Sequence, residues 1–458
     1  MAALVQAPIS AITDGLKSLG VIDNIKGNNT NSKESNNENA IERTYGYFNN
    51  TKKQVISEEE KKINSYVKQR RIYGTSYEPS LEWWNSNQKD YVKPENDPLP
   101  EGFPAQVESK ALWDGKVLIN QPEKWLYTFT PSDIQAIEDA YNHFLSLNLL
   151  KDDLSQETFP ISKDTDLFKA LSTAKSEINH GLGFRVLRGL PVDEWKREKQ
   201  LTIFAGISSY IGGERIKQGN QNVVHLRDIT NLEVDKRPAI TVKGQTSGNQ
   251  VYHNDGSAGI IGLITLGVAE TGGLSQLGSV ARTYNELATT RRDIVRELAN
   301  DDWKNKVYPD GKALIFAVEN DQVISSYSRR PFFGFYEADA DVPELSVEKH
   351  LALDAIHFTA EKFGLDLDLQ KGDLEYFNNL TVFHARTSSE DSEKNARHLV
   401  RIWLQNPEQP LPDNLRAEYE RLNAGKAKVW PLEAWDSTDA YDHLKSVNEV
   451  NKESDVAY

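Results

Sequence analysis

The chain has 458 residues, a formal charge of −15 and an isoelectric point near 5.2, with no cysteine and Met1 as its single methionine. That acidity argues against a nucleic-acid surface, which needs a basic patch or stripe, and the lack of cysteine excludes disulfides, iron–sulfur clusters and thiolate zinc sites. Any metal must then be held by histidine and carboxylate, and the acidic charge makes a small-molecule substrate the expected partner; no apolar run reaches the roughly 18–20 residues that span a bilayer, so no membrane partner is expected.

The first 25 residues lack a signal-peptide core or an arginine-rich transit character, so a cytoplasmic location is expected. From Gly27 to about Glu60 the chain is rich in Asn, Lys, Ser and Glu and too poor in aliphatics to offset ordering entropy, which makes residues 1–60 a largely disordered tail. Trp83 and Trp84, set among Pro94, Pro98, Pro100 and Pro104, mark 61–112 as an irregular extension packed on the core. The main domain is expected over 113–410, followed by a C-terminal tail over 411–458; a homo-oligomer is compatible with this organisation.

The domain opens with a helix capped by Thr130, with Pro131 in its first turn and Asp133 at its positive end. Ile134, Ile137, Tyr141, Phe144 and Leu145 form its apolar face. A second helix runs from about Asp164 to His180 and stops at Gly181, which makes His180 a helix C-terminal residue rather than a ligand. Phe184 to Leu190 reads as a strand, and a third helix runs from about Asp193 to Ile211, ending at Gly212-Gly213. After Asn249 the period changes. Ile260 to Val268 is a buried-strand run with Gly272-Gly273 close behind, and Val280 to Leu298 is helical with a break possible at Thr289-Thr290. Short strands follow at Ala313–Val318, Gln322–Tyr327, Asp373–Phe377 and Leu399–Gln405. Helices in front and on the flank of dispersed strands predict an α+β fold, a rolled sheet or barrel under helical cover.

His253-Asn254-Asp255 carries the chemistry. A histidine and a carboxylate two residues apart on an extended segment face the same way. His384, arriving from another strand, would complete two imidazoles and one carboxylate on one side of a metal. Such a facial set with open positions suits ferrous iron, although His253 and Asp255 alone could be a surface pair in a turn. Downstream, Arg397, Leu399, Arg401 and Trp403 share one face of a strand whose other face, His398, Val400, Ile402 and Leu404, is nearly all apolar. Such a strand is central, so inward guanidinium groups need an anion. A ferrous centre that activates oxygen needs two further electrons, which 2-oxoglutarate supplies by oxidative decarboxylation, and arginine matches its distal carboxylate bidentately. In Gly272-Gly273-Leu274-Ser275, the Ser275 hydroxyl is a candidate partner for the same anion. His225, in Val224-His225-Leu226-Arg227-Asp228, is either a pocket residue or a hydrogen-bonded loop histidine. Tyr327-Ser328-Arg329-Arg330 either lines the opening or forms a solvated turn.

Four features together, the His253-x-Asp255 strand, the Gly-Gly-x-Ser turn, the segment Asn378-Asn379-x-x-Val382-x-His384-Ala385-Arg386 and the paired arginines, resemble the taurine dioxygenase/TfdA family of Fe(II)- and 2-oxoglutarate-dependent dioxygenases, including the clavaminate synthase-like enzymes and above all fungal members. The resemblance covers about Trp113 to Trp403. It implies a double-stranded β-helix, or jelly roll, with His253, Asp255 and His384 binding iron and Arg397 and Ser275 holding 2-oxoglutarate. It also implies that Arg401 and Asn249 contact the substrate. The implied reaction uses O2 to oxidise an aliphatic C–H bond by hydroxylation, desaturation or ring closure. The substrate would be small and acidic, bearing a carboxylate or sulfonate, with succinate and CO2 released, in secondary metabolism or sulfur scavenging. Taurine itself is not supported, because the other taurine-binding residues are missing between Gly213 and Asn249. Two other classes stay open on these residues: a zinc-dependent hydrolase with the same ligands, and a non-catalytic jelly-roll binding protein.

Overall fold

In the computed structural model the described residues are 78–434, except 89–95, 219–220, 231–242, 257, 306–307, 309, 334–344, 410 and 424–428. The expected tail over 1–60 and the first part of the 61–112 extension lie outside them.

Among the described residues, eleven strands build the two main sheets. In chain order they are β1 (Leu126–Thr128), β2 (Phe184–Arg188), β3 (Arg215–Ile216), β4 (Val223–Arg227), β5 (Gln250–His253), β6 (Ile260–Gly267), β7 (Ser275–Ser279), β8 (Leu365–Leu367), β9 (Leu374–Asn378), β10 (Val382–Arg386) and β11 (His398–Leu404). The seven-stranded sheet has the order β1-β2-β9-β6-β11-β3, with β4 also paired to β11, and the four-stranded sheet has the order β8-β7-β10-β5. All pairs are antiparallel except β1 with β2. From β4 onward the chain crosses between the sheets: β4 large, β5 small, β6 large, β7 and β8 small, β9 large, β10 small, β11 large. This winding makes a double-stranded β-helix, the fold expected from the sequence.

Helices cover both outer faces. Pro131–Ser146 (α1), Asp166–His180 (α2) and Arg197–Ser208 (α3) bury Ile137, Phe144, Leu167, Leu171 and Phe204 against Ile264, Tyr376, Val400 and Ile402 of the large sheet. Val280–Thr290 (α4), Arg292–Ala299 (α5) and Val347–Lys362 (α6) cover the small sheet through Tyr252, Phe383 and Ala385. A third apolar cluster, with Phe184, Ile261, Leu277, Phe377, Val382 and Trp403, fills the space between the sheets. Each aliphatic or aromatic side chain removed from water in this way contributes about 1.5–3 kcal/mol. The alternation along β11 follows directly: Val400, Ile402 and Leu404 enter the helix-side cluster, while Leu399 and Trp403 enter the inter-sheet cluster.

Local signals explain the helix starts. Thr130 and Asp133 form a reciprocal capping box, which buries Asp133. The face of α1 is rotated from the expected one: Ala140 is buried, whereas Leu145 is 53% exposed. The third helix starts at Arg197 rather than Asp193, because Val192–Glu194 makes a separate 3-10 turn. The expected long helix from Val280 breaks at Arg291, whose φ of −145° and ψ of 66° are not helical. The C-terminal region is not only a tail. Val429 bridges to Gln221, Pro431 accepts a hydrogen bond from His225, and the Trp430 indole donates to Asp152 Oδ1 at 2.8 Å. On the N-terminal side, Trp84 is buried beside α4 to α6, and the Val107 amide donates to Asn285 Oδ1 at 2.7 Å.

Candidate metal centre and anion pocket

His253 is the last residue of β5 and His384 the middle of β10, and the two are register partners across the ladder. Paired residues on neighbouring strands point to the same face, so both imidazoles enter the inter-sheet space with ring centroids 4.1 Å apart. Asp255 follows where β5 has ended, and its position depends on a clasp of amides. The Asn379 side chain accepts the Asp255 N–H at 2.9 Å and donates to the Asp255 and Ala258 carbonyls at 2.6 and 2.7 Å. Between the ligands, Asn254 points the other way: it exchanges main-chain and side-chain hydrogen bonds with Tyr327 and donates to the Asn379 and Val382 carbonyls. The turn therefore has both sides held. One Asp255 oxygen lies 3.7 Å from His253 Nε2 and the other 3.9 Å from His384 Nε2.

Protonation suits a cation. His253 Nδ1 lies 2.8 Å from the Val251 carbonyl, which only accepts, so Nδ1 carries the proton and Nε2 keeps its lone pair. Burial lowers the pKa of both imidazoles, that of His384 well below its ordinary value, so both are neutral. Burial would raise Asp255, but the Arg401 guanidinium, with the Trp403 indole N–H, outweighs it and holds the carboxyl below its ordinary range. Arg401 and Trp403 both donate to Asp255 Oδ2, at 2.8 and 3.0 Å, which orients the carboxylate as outer partners of a metal ligand do. Among the described residues these three are the one group of histidine and carboxylate that could share an ion, with ligand atoms within 4.8 Å of one another. Two neutral nitrogens and one ionised oxygen fit a divalent transition metal bound on one side.

Between the same two sheets lies the candidate anion pocket. Ser275 begins β7 and directs its hydroxyl inward, and Arg397 immediately precedes β11, with both side chains buried. The Gly-Gly turn makes room for the arginine. Gly272 and Gly273 have φ of +68° and +72°, and a Cβ on Gly273 would lie 2.9 Å from Arg397 Cδ. Arg397 Nε is buried without a hydrogen-bond partner. Burial, reinforced by Arg386, lowers its guanidinium to about 9 against the pull of Glu375 and Asp391. Glu375, on β9, faces this pocket and accepts the Ser275 hydroxyl at 2.9 and 3.0 Å. Burial pushes its carboxyl up to about 7, against the Ser275 hydrogen bond and Arg397.

Other expected positions lie elsewhere. His225 is not a pocket residue, a correction that follows from register. It pairs with Val400, faces the helix side of the large sheet, and is hydrogen-bonded to His398 at 2.7 Å and to the Pro431 carbonyl at 2.9 Å. Asn249, expected at the substrate, is exposed just before β5, and its amide donates to Glu78 at 3.2 Å. In the 327–330 segment, Tyr327 clasps Asn254, Arg329 forms a buried ion pair with Asp354, and Arg330 acts electrostatically on His253; it is not a solvated turn. His180 stands at a helix end, 3.0 Å from Glu408. Sequence reasoning missed Glu375, Trp403 and Arg386 as functional candidates. Trp403 was detectable from its shared face with Arg401, and Arg386, whose guanidinium holds the Thr246 and Gly248 carbonyls, from its spacing two after His384.

Residues 146–403 match the model of the family described as taurine catabolism dioxygenase TauD, TfdA family. The chain is 28% identical over 332 residues to the taurine hydroxylase-like protein SAT17 of the fungus Stachybotrys chartarum, covering 69% of this chain and 85% of that protein. Among solved structures, asparagine oxygenase with Fe(II), 2S,3S-3-hydroxyasparagine and succinate superposes with a TM-score of 0.47 at 14% identity, over 61% of this chain and 93% of that one. The non-heme iron oxygenase OrfP with Fe and alpha-ketoglutaric acid gives 0.46 at 16%, over 61% and 94%.

Proposed function

We propose that this chain, which belongs to the taurine catabolism dioxygenase TauD, TfdA family, oxidises an aliphatic C–H bond of a small acidic substrate, with His253, Asp255 and His384 as its iron ligands. It is an Fe(II)- and 2-oxoglutarate-dependent oxygenase. The observation that carries the site assignment is the shared inter-sheet space: two neutral imidazole nitrogens and an ionised carboxylate within 4.8 Å, with a buried guanidinium behind them. A zinc hydrolase has no use for that guanidinium.

Iron, when bound, supplies the one-electron chemistry that couples oxygen reduction to decarboxylation of 2-oxoglutarate. The rest is done by the chain. Val251 fixes the tautomer of His253, and Asn379 holds the Asp255 main chain. Arg401 and Trp403 take up one carboxylate oxygen. Arg397 and Ser275 receive the distal carboxylate of 2-oxoglutarate, and this bidentate positive charge orients the keto acid end toward the ligands. Phe377, its ring tilted against His384 with centroids 5.0 Å apart, and the apolar inter-sheet cluster exclude water from the reacting face.

Arg401 is paired with Asp255, and Arg330 acts electrostatically on His253; the positive charge beside the ligands supports a substrate with a carboxylate or sulfonate. The test of the site is anaerobic addition of Fe(II) and then 2-oxoglutarate, followed by the visible metal-to-ligand charge-transfer band. The band is expected in the parent protein and absent in His384→Ala. Its absence from iron-loaded parent protein refutes the assignment. Equal turnover of acidic and uncharged substrate analogues refutes the acidic-substrate reading.

A further inference from the structure

The anion pocket already contains an anion-forming group of its own. Glu375, the second residue of β9, is fully buried, and both its oxygens lie within hydrogen-bond reach of the Ser275 hydroxyl. Its neighbours along the large sheet are Val186 on β2 and Leu263 on β6, which provide no charge. From the small sheet Ser275 faces it, and from the segment before β11 Arg397 faces it. Arg386 on β10 stands behind Arg397, while Asp391 is engaged by the Arg397 main-chain N–H. Asp373, two residues before Glu375, is covered by Arg188 through bonds of 2.7 to 3.2 Å. The balance inside the pocket is therefore one guanidinium against one carboxyl, with Arg386 bound to main-chain carbonyls.

If Glu375 is ionised, Arg397 is already neutralised, and a second carboxylate entering the pocket leaves a buried excess of negative charge, which is strongly unfavourable. If Glu375 carries a proton, Arg397 is available to the incoming carboxylate, and the Glu375 O–H donates a hydrogen bond where a carboxylate would only repel. Resting on the co-substrate reading above, we propose that Glu375 is a specificity residue of the 2-oxoglutarate pocket that admits the distal carboxylate only in its protonated form, so that one proton enters the protein with the co-substrate. The balance is simple: the proton comes from solvent, converts the Glu375 carboxylate to the acid, and leaves the pocket with one positive and one negative charge. A free-protein carboxyl near 7 makes this exchange cross the neutral range.

The sign follows from linkage. Bound co-substrate raises the Glu375 pKa, so affinity is greatest below the free-protein value and falls about tenfold per pH unit above it. The test is calorimetric titration of 2-oxoglutarate into the Mn(II)-loaded, oxygen-free full chain, in buffers of different ionisation enthalpy. Expected uptake is about 0.1 proton at pH 6 and about 0.9 at pH 8 for a carboxyl near 7. Glu375→Gln, neutral and of the same shape, should take up no proton, bind with little pH dependence, and bind more tightly than the parent at pH 8.5. Uptake near zero at pH 8 in a parent protein that binds 2-oxoglutarate overturns the proposal, as does parental uptake in Glu375→Gln. Because the parent measurement needs no variant, misfolding of Glu375→Gln does not protect it. Failure of the metal-loaded parent to bind 2-oxoglutarate at any pH removes the co-substrate reading itself, and the proposal with it.

Discussion

Replacing Arg397 with methionine separates the demands of function from those of folding. The guanidinium is buried, its Nε is unpartnered, and burial pulls its pKa down, so without 2-oxoglutarate the charge inside the pocket is compensated only as far as Glu375 is ionised. Exchanging a buried charge for an apolar side chain of similar volume is commonly neutral, or stabilising by about 1–4 kcal/mol. Here the opposing Glu375, with a carboxyl near 7, can take up a proton instead of being stranded as an ion. Arg397→Met should therefore leave the urea midpoint of the metal-free protein unchanged or raised. Removing one partner of a desolvated ion pair costs about 3–5 kcal/mol, so its 2-oxoglutarate affinity should fall by roughly two to three decades. The assays are urea unfolding by tryptophan fluorescence and anaerobic titration of the charge-transfer band. A large loss of stability with unchanged 2-oxoglutarate affinity would show that Arg397 is a structural residue and refute the reasoning.

Asn379→Ala should remove three hydrogen bonds around Asp255 and cost at least about 2 kcal/mol; loosened Fe(II) binding in a calorimetric titration should accompany it, and unchanged metal affinity would show that the clasp does not position Asp255. His225→Ala should lower the urea midpoint but keep the charge-transfer band, since His225 faces the helices; loss of the band in a folded variant would return it to the pocket. Acid should destabilise the protein early. Burial lowers His225 to about 4 and His350 and His357 to about 3, below the unfolded value near 6.5, so the unfolded chain binds more protons and stability falls as pH drops from 6.5 toward 4. For His225 alone the loss is about 3 kcal/mol; urea midpoints that stay level between pH 6.5 and 5 would contradict it. Trp403→Phe should remove one donor to Asp255 while keeping the inter-sheet packing, weakening Fe(II) binding severalfold with little change in stability; the same calorimetric titration checks this.

The parts of this molecule that a linear pattern describes were legible in its sequence. The capped first helix, the apolar run of β6 and the alternation of β11 each rest on neighbours within a few residues. His253, Asp255 and His384 could be singled out because the spacing of the first two matches a strand period and the third sits in an apolar strand. Long-range pairing was less accessible. Helix α6 escaped because polar residues interrupt its buried face: His350 and Asp354 are buried, and Asp354 is paired with Arg329, which lies in a different segment. Strand β7, in which Leu277 is the only apolar side chain beside Ser275, Gln276, Gly278 and Ser279, has no strand signature and becomes a strand by pairing with β8 and β10. His225 was misjudged because nothing local reveals which side of a sheet a residue faces once its partner strand is unknown.

The register pairing of His253 with His384 has a consequence for metal supply. Both imidazoles belong to one hydrogen-bonded ladder, and Asp255 is clasped by Asn379, so the proposed coordination sphere is assembled by pairing within the fold itself. Such a preformed nest has scant means of rejecting a wrong ion by refusing to close around it, and divalent metals compete for nitrogen and oxygen donors in the Irving–Williams order, in which ferrous iron is a weak competitor. The cell's pool of exchangeable metals, rather than the protein, then decides which ion is loaded. Protein purified from a zinc- or nickel-rich source is expected to carry the intruder until it is stripped and reloaded with ferrous iron.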